Sequence, residues 1–264
     1  MKINAGFYQF QPVFGDNRKN LDCVLEKLAD VHNTLIVLPE LCFSGYNFLT
    51  PQEILPHAVE IPDSPIILEL SDLCRRNSLY LVAGVAELQT GKLFNSAFYL
   101  GPEGFIGKFQ KTHLFYREKD VFQPGSTGFQ VFRRDFSLGM MICFDWFFPE
   151  SARTLAMRGA QIIAHSANLV LPYCPEAMLY RSLENRVFSI TCNRIGRETN
   201  AAEDYYFIGK SQVVSPRAER LICAGTDEES LQFVEIDLSL ADSKKINRYN
   251  DLFSDRRPEM YAGS

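Results

Sequence analysis

Long apolar runs and a signal-peptide pattern are both missing from this chain of 264 residues. Asn4 and Gln9 interrupt the apolar stretch at its start, and no small-residue cleavage site follows them. No segment reaches the roughly 18 uninterrupted apolar residues of a membrane helix. We therefore expect a cytoplasmic protein that has no membrane partner.

Basic residues are too few to suggest a nucleic-acid partner. The chain has 27 Lys and Arg against 32 Asp and Glu, which gives a net charge of −5 and a pI near 5.5. Binding to a phosphate backbone would require a basic stripe or patch. Hydrophobic residues make up 46% of the chain, which is typical of a globular protein with a sizeable core.

The cysteines and histidines form neither a disulfide framework nor a metal-binding pattern. There are seven cysteines, an odd number, and none belongs to a Cys-x-x-Cys pair. The four histidines are scattered, so the spacing does not suggest a zinc site. We expect no metal, and we expect most of the cysteines to be buried small hydrophobic residues.

Strand and helix patterns alternate along the chain. Strands are predicted at 2–10, 34–39, 79–87, 94–100, 104–110, 129–132, 138–143, 161–165 and 187–195, with further strands between 206 and 237. Helices are predicted at 21–31, 65–76, 149–158 and 175–186. Several strands are apolar on both faces, which predicts an α/β fold with covered sheets. We expect one domain over 1–264, with two sheets packed together and residues 250–264 forming a C-terminal arm.

Two polar residues stand out because each ends an apolar strand. Glu40 follows the run 35–39, and Lys111 follows the strand at 104–110. Ligand sites in α/β sheets lie at this edge, where a desolvated carboxylate can act as a general base and a lysine can stabilise an oxyanion. Each also has an ordinary explanation, as a loop acid or a basic turn. Glu118 lies seven residues beyond Lys111 and, taken alone, is an ordinary surface acid.

Cys143 lies where an apolar strand ends and a helix begins a few residues later. A sharp strand-to-helix turn can expose a nucleophile and supply backbone N–H groups as an oxyanion hole. Trp146, the only tryptophan, and Phe144 beside the cysteine are suited to wall a small apolar pocket. The alternative is an inert core cysteine. Together, a base, a cation and a nucleophile at three strand ends are the equipment for acyl transfer.

Several short motifs then reveal a family resemblance. They are Leu38-Pro39-Glu40-Leu41 with Ser44-Gly45-Tyr46, Lys111-Thr112-His113-Leu114-Phe115, Cys143-Phe144-Asp145 with Phe148-Pro149-Glu150, and Asn250-Asp251-Leu252-Phe253 with Asp255-Arg256-Arg257-Pro258. With these motifs in this order, the chain resembles the nitrilase superfamily of carbon–nitrogen hydrolases along essentially its whole length. The stretches 113–119 and 145–150 are similar to the archaeal nitrilases and to the N-carbamoylputrescine amidohydrolase branch.

The resemblance implies a four-layer α-β-β-α sandwich and a Glu-Lys-Cys triad, which maps onto Glu40, Lys111 and Cys143. A second glutamate, in the loop after the lysine, maps onto Glu118. The resemblance implies no metal and no organic cofactor. It also implies a homodimer, formed through helices near the nucleophile, with the C-terminal arm often crossing to the partner.

The implied chemistry assigns further roles near the cysteine. The oxyanion would be held by the lysine and by the backbone N–H of Phe144. We expect Trp146 and Asn168 to shape the substrate pocket. His113, two residues past the lysine, is expected to support the site rather than to take part in the reaction.

The sequence leaves the scissile bond open. Many nitrilases carry Trp-Glu after the cysteine, whereas this chain has Phe144-Asp145, which favours hydrolysis of small amides or carbamoyl amides with release of ammonia. The archaeal nitrilases share the Phe-Asp type, so hydrolysis of small aliphatic nitriles is the alternative. A non-enzymatic binding or regulatory scaffold is a third interpretation, which the intact triad disfavours.

Overall fold

The computed structural model describes residues 1–261, and in that part of the chain fourteen β-strands form two large sheets and a hairpin. The strands are β1 (Lys2–Gln9), β2 (Thr34–Val37), β3 (Tyr80–Gln89), β4 (Lys92–Gly101), β5 (Gly104–Gln110), β6 (Val131–Arg133), β7 (Ser137–Ile142), β8 (Ile162–Ala167), β9 (Phe188–Asn193), β10 (Ile195–Asn200), β11 (Glu203–Ile208), β12 (Gln212–Val214), β13 (Arg220–Cys223) and β14 (Ser230–Asp237).

Seven α-helices and three 3-10 helices are found among the same residues. The α-helices are α1 (Asn17–Leu28), α2 (Pro51–Ile54), α3 (Pro65–Asn77), α4 (Glu118–Val121), α5 (Pro149–Met157), α6 (Cys174–Asn185) and α7 (Ser239–Asp242). The 3-10 helices cover Leu55–His57, Cys143–Phe147 and Pro258–Met260. No helix of residues 1–261 is long and apolar enough to cross a membrane.

Each large sheet has six strands. The first has the order β14-β1-β2-β3-β4-β5 and the second the order β13-β12-β9-β8-β7-β6. In the first sheet β2 runs parallel to β3, and β5 runs in the same direction because two antiparallel pairings separate it from β3. In the second, β7, β8 and β9 are parallel. The carboxyl ends of these parallel strands carry the site described below.

The sheets pack face to face with helices outside, so the predicted four-layer α-β-β-α sandwich is confirmed. Alternation along a strand sends neighbouring residues to different layers. Phe7 and Val37 pack between the sheets, whereas their neighbours Tyr8 and Ile36 pack beneath α1 and α3. On the other side, α5 and α6 cover the second sheet, and Leu155 of α5 joins the same central cluster.

The predicted helix at 21–31 ends earlier, at Leu28, for a physical reason. The side-chain amide of Asn77 donates hydrogen bonds to the backbone carbonyls of Leu28, Ala29 and Val31 at 2.8–3.3 Å. Carbonyls at the end of a helix have no partner within it, so the amide of Asn77 caps this end. Val31 is still buried, but in the loop after the helix.

The residues predicted to begin and to follow α5 are confirmed. Pro149 is the first residue of the helix, and Gly159 follows its end with φ +91°, a conformation that favours glycine. The strand predicted at 129–132 instead covers Val131–Arg133, because only these residues pair with β7. The described part of the C-terminal arm, 250–261, consists of turns and one 3-10 helix, and residues 262–264 lie outside the described part of the chain.

Candidate active site

Glu40 lies just beyond β2 and is completely buried. Backbone hydrogen bonds hold this segment against β3, since Gly84 donates to the carbonyl of Pro39 and accepts from the N–H of Cys42, at 3.1 and 3.0 Å. A Cβ added at Gly84 would lie 2.5 Å from the Cα of Glu40. Only glycine therefore lets β3 approach the carboxylate segment this closely.

Three charged side chains meet in the interior of the protein. Nζ of Lys111 lies 2.6 Å from Oε1 of Glu40 and 2.7 Å from Oε1 of Glu118. Asn95 of β4 also donates to Oε1 of Glu40, at 2.7 Å. The other carboxylate oxygen of Glu40, Oε2, is buried and has no hydrogen-bond partner among the described residues. One oxygen is thus fixed while the other keeps its lone pairs available.

Burial and neighbouring charges together raise the pKa values of both Glu40 and Lys111. Burial raises the pKa of Glu40 to about 7, against the opposing effect of the Lys111 cation. Burial acts to lower the pKa of Lys111, but the carboxylates of Glu118 and Glu40 outweigh it and hold that pKa above its usual value. The lysine is therefore a permanent cation, while Glu40 can both take up and release a proton near neutral pH.

Cys143 begins the 3-10 helix at Cys143–Phe147, directly after β7. Its backbone has φ +38°, which is unusual for a residue with a side chain and marks a sharp, strained turn at the end of the strand. Burial, followed by the charge of Glu40, raises the pKa of its thiol well above the usual value, and Lys111 only partly opposes them. At neutral pH the thiol is thus protonated and needs a base to become a nucleophile.

The turn at Cys143 is supported by a histidine that the sequence reasoning missed. His165, on β8, is completely buried, and its Nε2 lies 2.9 Å from the backbone carbonyl oxygen of Cys143. Its Nδ1 lies 3.1 Å from the hydroxyl of Thr191 on β9. The available signal was a polar residue within an otherwise apolar, buried strand, because such a residue needs a partner.

Asp145 joins the cysteine turn to the segment after Lys111. Its Oδ2 accepts the backbone N–H of Ile142 at 3.0 Å, and its Oδ1 accepts the backbone N–H of His113 at 3.1 Å. The ring Nδ1 of His113 lies 2.7 Å from the same oxygen, and the ring stacks on Phe148 at 3.7 Å. His113 therefore contacts Asp145 and Phe148, which flank the cysteine turn.

A small cavity opens beside the cysteine. Cys143, Phe144, Trp146 and Asn168 all line it, so the predicted pocket residues are brought together here. The remaining lining consists of Phe115, Phe147 and the apolar segment 169–171. Phe144 lies in the first turn of the 3-10 helix, where backbone N–H groups have no partner within the helix and can face a developing oxyanion.

A second support of the site, also missed from the sequence, holds Glu118. The hydroxyl of Tyr46 donates to Oε1 of Glu118 at 2.7 Å. Glu198 on β10 in turn accepts the backbone N–H groups of Tyr46 and Asn47, each at 2.9 Å, and is paired with the buried Arg194. The β10–β11 hairpin therefore fixes the loop that carries Tyr46, and Tyr46 fixes the glutamate.

These groups together can form and resolve an acyl intermediate. A protonated thiol, a carboxylate with a pKa near 7, a permanent cation and a narrow apolar cavity are the parts that such chemistry needs. Glu40, Lys111 and Glu118 are in direct contact, and Cys143 lies within electrostatic reach of all three.

Comparison with known proteins agrees with this arrangement. Residues 4–246 match the carbon-nitrogen hydrolase family. A nitrilase from Pyrococcus abyssi is 47% identical over 98% of this chain and 99% of its own length, and an N-carbamoylputrescine amidase from Solanum lycopersicum is 28% identical over 90% and 86%. The crystal structure of an amidase from Nesterenkonia sp. matches with a TM-score of 0.82 at 24% identity, covering 97% of this chain and 94% of that one. The resemblance drawn from the motifs is confirmed.

Proposed function

The chain belongs to the carbon-nitrogen hydrolase family, and from that premise we propose that it hydrolyses small amides or carbamoyl amides through a thioester on Cys143. The observation that carries the proposal is the buried carboxylate of Glu40, whose Oε1 is bound to Lys111 while Oε2 has no partner among the described residues. An oxygen in this state is suited to receive the proton of a nearby thiol.

In the first half-reaction Glu40 accepts the thiol proton as the sulfur of Cys143 attacks the substrate carbon. The charge that develops on the substrate oxygen is stabilised by Lys111 and by the backbone N–H of Phe144, and one preorganised donor of this kind contributes about 3–4 kcal/mol. Glu40 then gives its proton to the departing nitrogen. The C–N bond breaks, ammonia leaves an unsubstituted amide, and the acyl group remains on the sulfur.

In the second half-reaction a water molecule attacks the thioester. Glu40 removes a proton from that water and returns it to the sulfur as the C–S bond breaks, so the acid is released and the enzyme is restored. The pKa near 7 suits both directions of transfer. Glu118 keeps Lys111 in position through its 2.7 Å contact, and its second role is to add negative charge that keeps the lysine protonated.

Trapping the acyl-enzyme tests this assignment. The protein is mixed with a primary amide, quenched in acid, digested and analysed by mass spectrometry. We expect the acyl mass on the peptide that contains Cys143, and no ammonia release by Cys143→Ala. Cys223→Ala, which changes an exposed cysteine, is the matched control and should retain full activity. An adduct on any other cysteine, or turnover by Cys143→Ala, would refute the proposal.

Hydrolysis of small nitriles is the second candidate, and the nitrilase at 47% identity is the observation that favours it. The same thiol would attack the carbon of a nitrile and of its matching amide, but only the nitrile forms a thioimidate first. Acid and ammonia measured from pairs such as propionitrile and propionamide separate the two. A kcat/KM at least tenfold higher for the nitrile would replace the amide proposal.

We further propose a cytoplasmic homodimer. Apolar side chains are exposed on and around the two helices of the second sheet, and such clusters commonly mark interfaces. They are Phe147, Met157, Tyr173, Tyr180 and Leu183. All seven cysteines are free thiols, which is typical of a reducing compartment. We retain the single domain over 1–264, with the arm at 250–264, as part of this proposal.

Sedimentation velocity tests the dimer directly. The wild type should sediment at twice the chain mass of 30.1 kDa, and Tyr180→Glu, which buries a charge in the proposed interface, should shift it towards the monomer. Leu68→Glu, at an exposed leucine of α3 on the other side of the sandwich, is the control. A monomeric wild type at micromolar concentration would contradict the proposal.

A further inference from the structure

The cavity beside Cys143 has a distinctive lining. None of the described residues that line it carries a charged side chain, and most are aromatic or aliphatic. The carboxylates of Glu40 and Glu118 are each bound to Lys111, so they are already paired. A charged group entering this cavity would lose its water without gaining a counter-charge, which is strongly unfavourable.

Asn168 is the exception to the apolar lining. Its side chain is buried with 2% exposure, and neither Oδ1 nor Nδ2 has a hydrogen-bond partner among the described residues. A buried amide that leaves both a donor and an acceptor unused is unusual, because such groups are nearly always satisfied. Asn168 lines the cavity, so a bound ligand is the candidate partner for its amide.

The backbone next to Asn168 is held in place. The N–H of Leu169 donates to Oδ1 of Asn193 at 2.7 Å, and the carbonyl of Leu169 accepts the N–H of Ile208 at 3.0 Å. Nδ2 of Asn193 is itself fixed by the carbonyl of Gly209 at 2.8 Å. The backbone that carries the side chain of Asn168 is thus fixed by hydrogen bonds, which favours selective recognition of a ligand.

We propose that the preferred substrate is electrically neutral beyond its scissile carbon and carries there one uncharged hydrogen-bonding group, which Asn168 recognises. A primary amide is the best match, because it offers an acceptor to Nδ2 and a donor to Oδ1. The inference rests on the proposed function of the same site. It excludes carbamoyl amines with a free ammonium group and ω-amides with a free carboxylate as preferred substrates.

Four amides of nearly equal size test the charge requirement. They are succinamide, succinamate, 3-amidinopropanamide and 4-methylpentanamide, whose distal groups are neutral polar, anionic, cationic and apolar. We expect kcat/KM for succinamide, halved for its two equivalent amides, to exceed that for either charged amide by about 100-fold. Values within threefold for a charged amide and succinamide would overturn the proposal.

Two variants test the role of Asn168. In Asn168→Leu the preference for succinamide over 4-methylpentanamide should fall by roughly tenfold or more, because the hydrogen bonds are lost but the shape is kept. Asn168→Asp should raise the preference for the amidinium substrate over succinamide, since it adds a counter-charge. Unchanged substrate ratios in both variants would show that Asn168 does not recognise the distal group.

The outcomes separate this inference from the proposed function. Turnover of any amide through Cys143 supports the function, whichever distal group is preferred. If no amide is hydrolysed but the matching nitriles are, the same four distal groups are compared in the nitrile series. Equal use of charged and neutral members there would overturn the inference while leaving a carbon–nitrogen hydrolase.

Discussion

Nε2 of His165 donates a hydrogen bond of 2.9 Å to the backbone carbonyl of Cys143, because a carbonyl oxygen can only accept. This fixes the tautomer, so Nδ1 accepts from the hydroxyl of Thr191. Burial lowers the pKa of His165 to about 4, and the imidazole is therefore neutral at physiological pH. A side chain on the neighbouring strand thus holds the strained residue that carries the nucleophile.

Removal of this contact should weaken both the fold and the reaction. In His165→Leu the carbonyl of Cys143 and the hydroxyl of Thr191 lose their partner, and each buried group left unpaired costs about 1–3 kcal/mol. We expect a lower free energy of unfolding in urea and a lower kcat for ammonia release. His165→Gln, which can donate and accept at similar positions, should recover part of both. Full kcat in the leucine variant would contradict the positioning role.

The stability of the protein should depend on the charge of His165 in mild acid. Its pKa is near 6.5 in the unfolded chain and about 4 in the fold, so the unfolded state binds the proton first as the pH falls. The contribution is complete above pH 6.5 and is lost progressively towards pH 4, with a total of about 3 kcal/mol. Urea unfolding at several pH values measures it, and the His165→Gln variant should have a flatter profile between pH 4 and 6.5.

Some residues of the site could be predicted from the sequence and others could not, for physical reasons. Glu40, Lys111 and Cys143 follow strands in the chain, and the rule that sites lie at strand ends needs only local pattern. His165 lies inside a strand, and its importance depends on the pairing of β7 with β8, which puts it beside the cysteine turn. Tyr46 likewise matters because a hairpin about 150 residues later along the chain fixes its loop.

The fold class could be predicted from the sequence for a related reason. Apolar strands covered on both faces, alternating with amphipathic helices, allow few architectures. The end of α1 could not be predicted from the sequence, because it is capped by Asn77 of another helix. The sequence showed only that Glu118 lies within loop reach of Lys111. Its contact with Lys111 depends on the short helix α4, which the pattern did not predict.

Glu40 should govern the acidic side of the pH profile. As the base it must be ionised, and burial raises its pKa to about 7, so kcat/KM should fall as the pH drops through 7. Glu40→Gln should lose roughly 10²–10⁴-fold in kcat. Glu118→Gln, the control, removes a neighbouring charge that raises the pKa of Glu40, so it should move the midpoint to lower pH. A wild-type profile that is flat from pH 5 to 8 would exclude Glu40 as the base.

Tyr46 should act on the reaction through Glu118. Tyr46→Phe removes one hydrogen bond to the carboxylate and leaves the ring packed edge-on against Phe207 at 5.9 Å. A hydrogen bond to a charged group contributes about 1.5–3 kcal/mol to stability, so the free energy of unfolding should fall by that order. Because Glu118 then holds Lys111 less firmly, kcat should also fall by roughly tenfold or more. Tyr206→Phe, which removes the hydroxyl of a half-exposed tyrosine on β11, is the matched control. An equal loss in both variants would point to hairpin stability instead.

Gly84 should be essential for the position of Glu40 rather than for the fold alone. A Cβ at this residue would lie 2.5 Å from the Cα of Glu40, so Gly84→Ala must push the carboxylate segment away from β3. Gly101→Ala is a matched control, because its Cβ would meet the side chain of Ile106 at 2.8 Å, at the last residue of β4. Both variants should lower the free energy of unfolding by about 1–3 kcal/mol through overpacking. Only Gly84→Ala should also lower kcat by at least about tenfold, since small displacements of a base are costly to proton transfer. Equal kcat values for the two variants would mean that the Glu40 segment tolerates the shift.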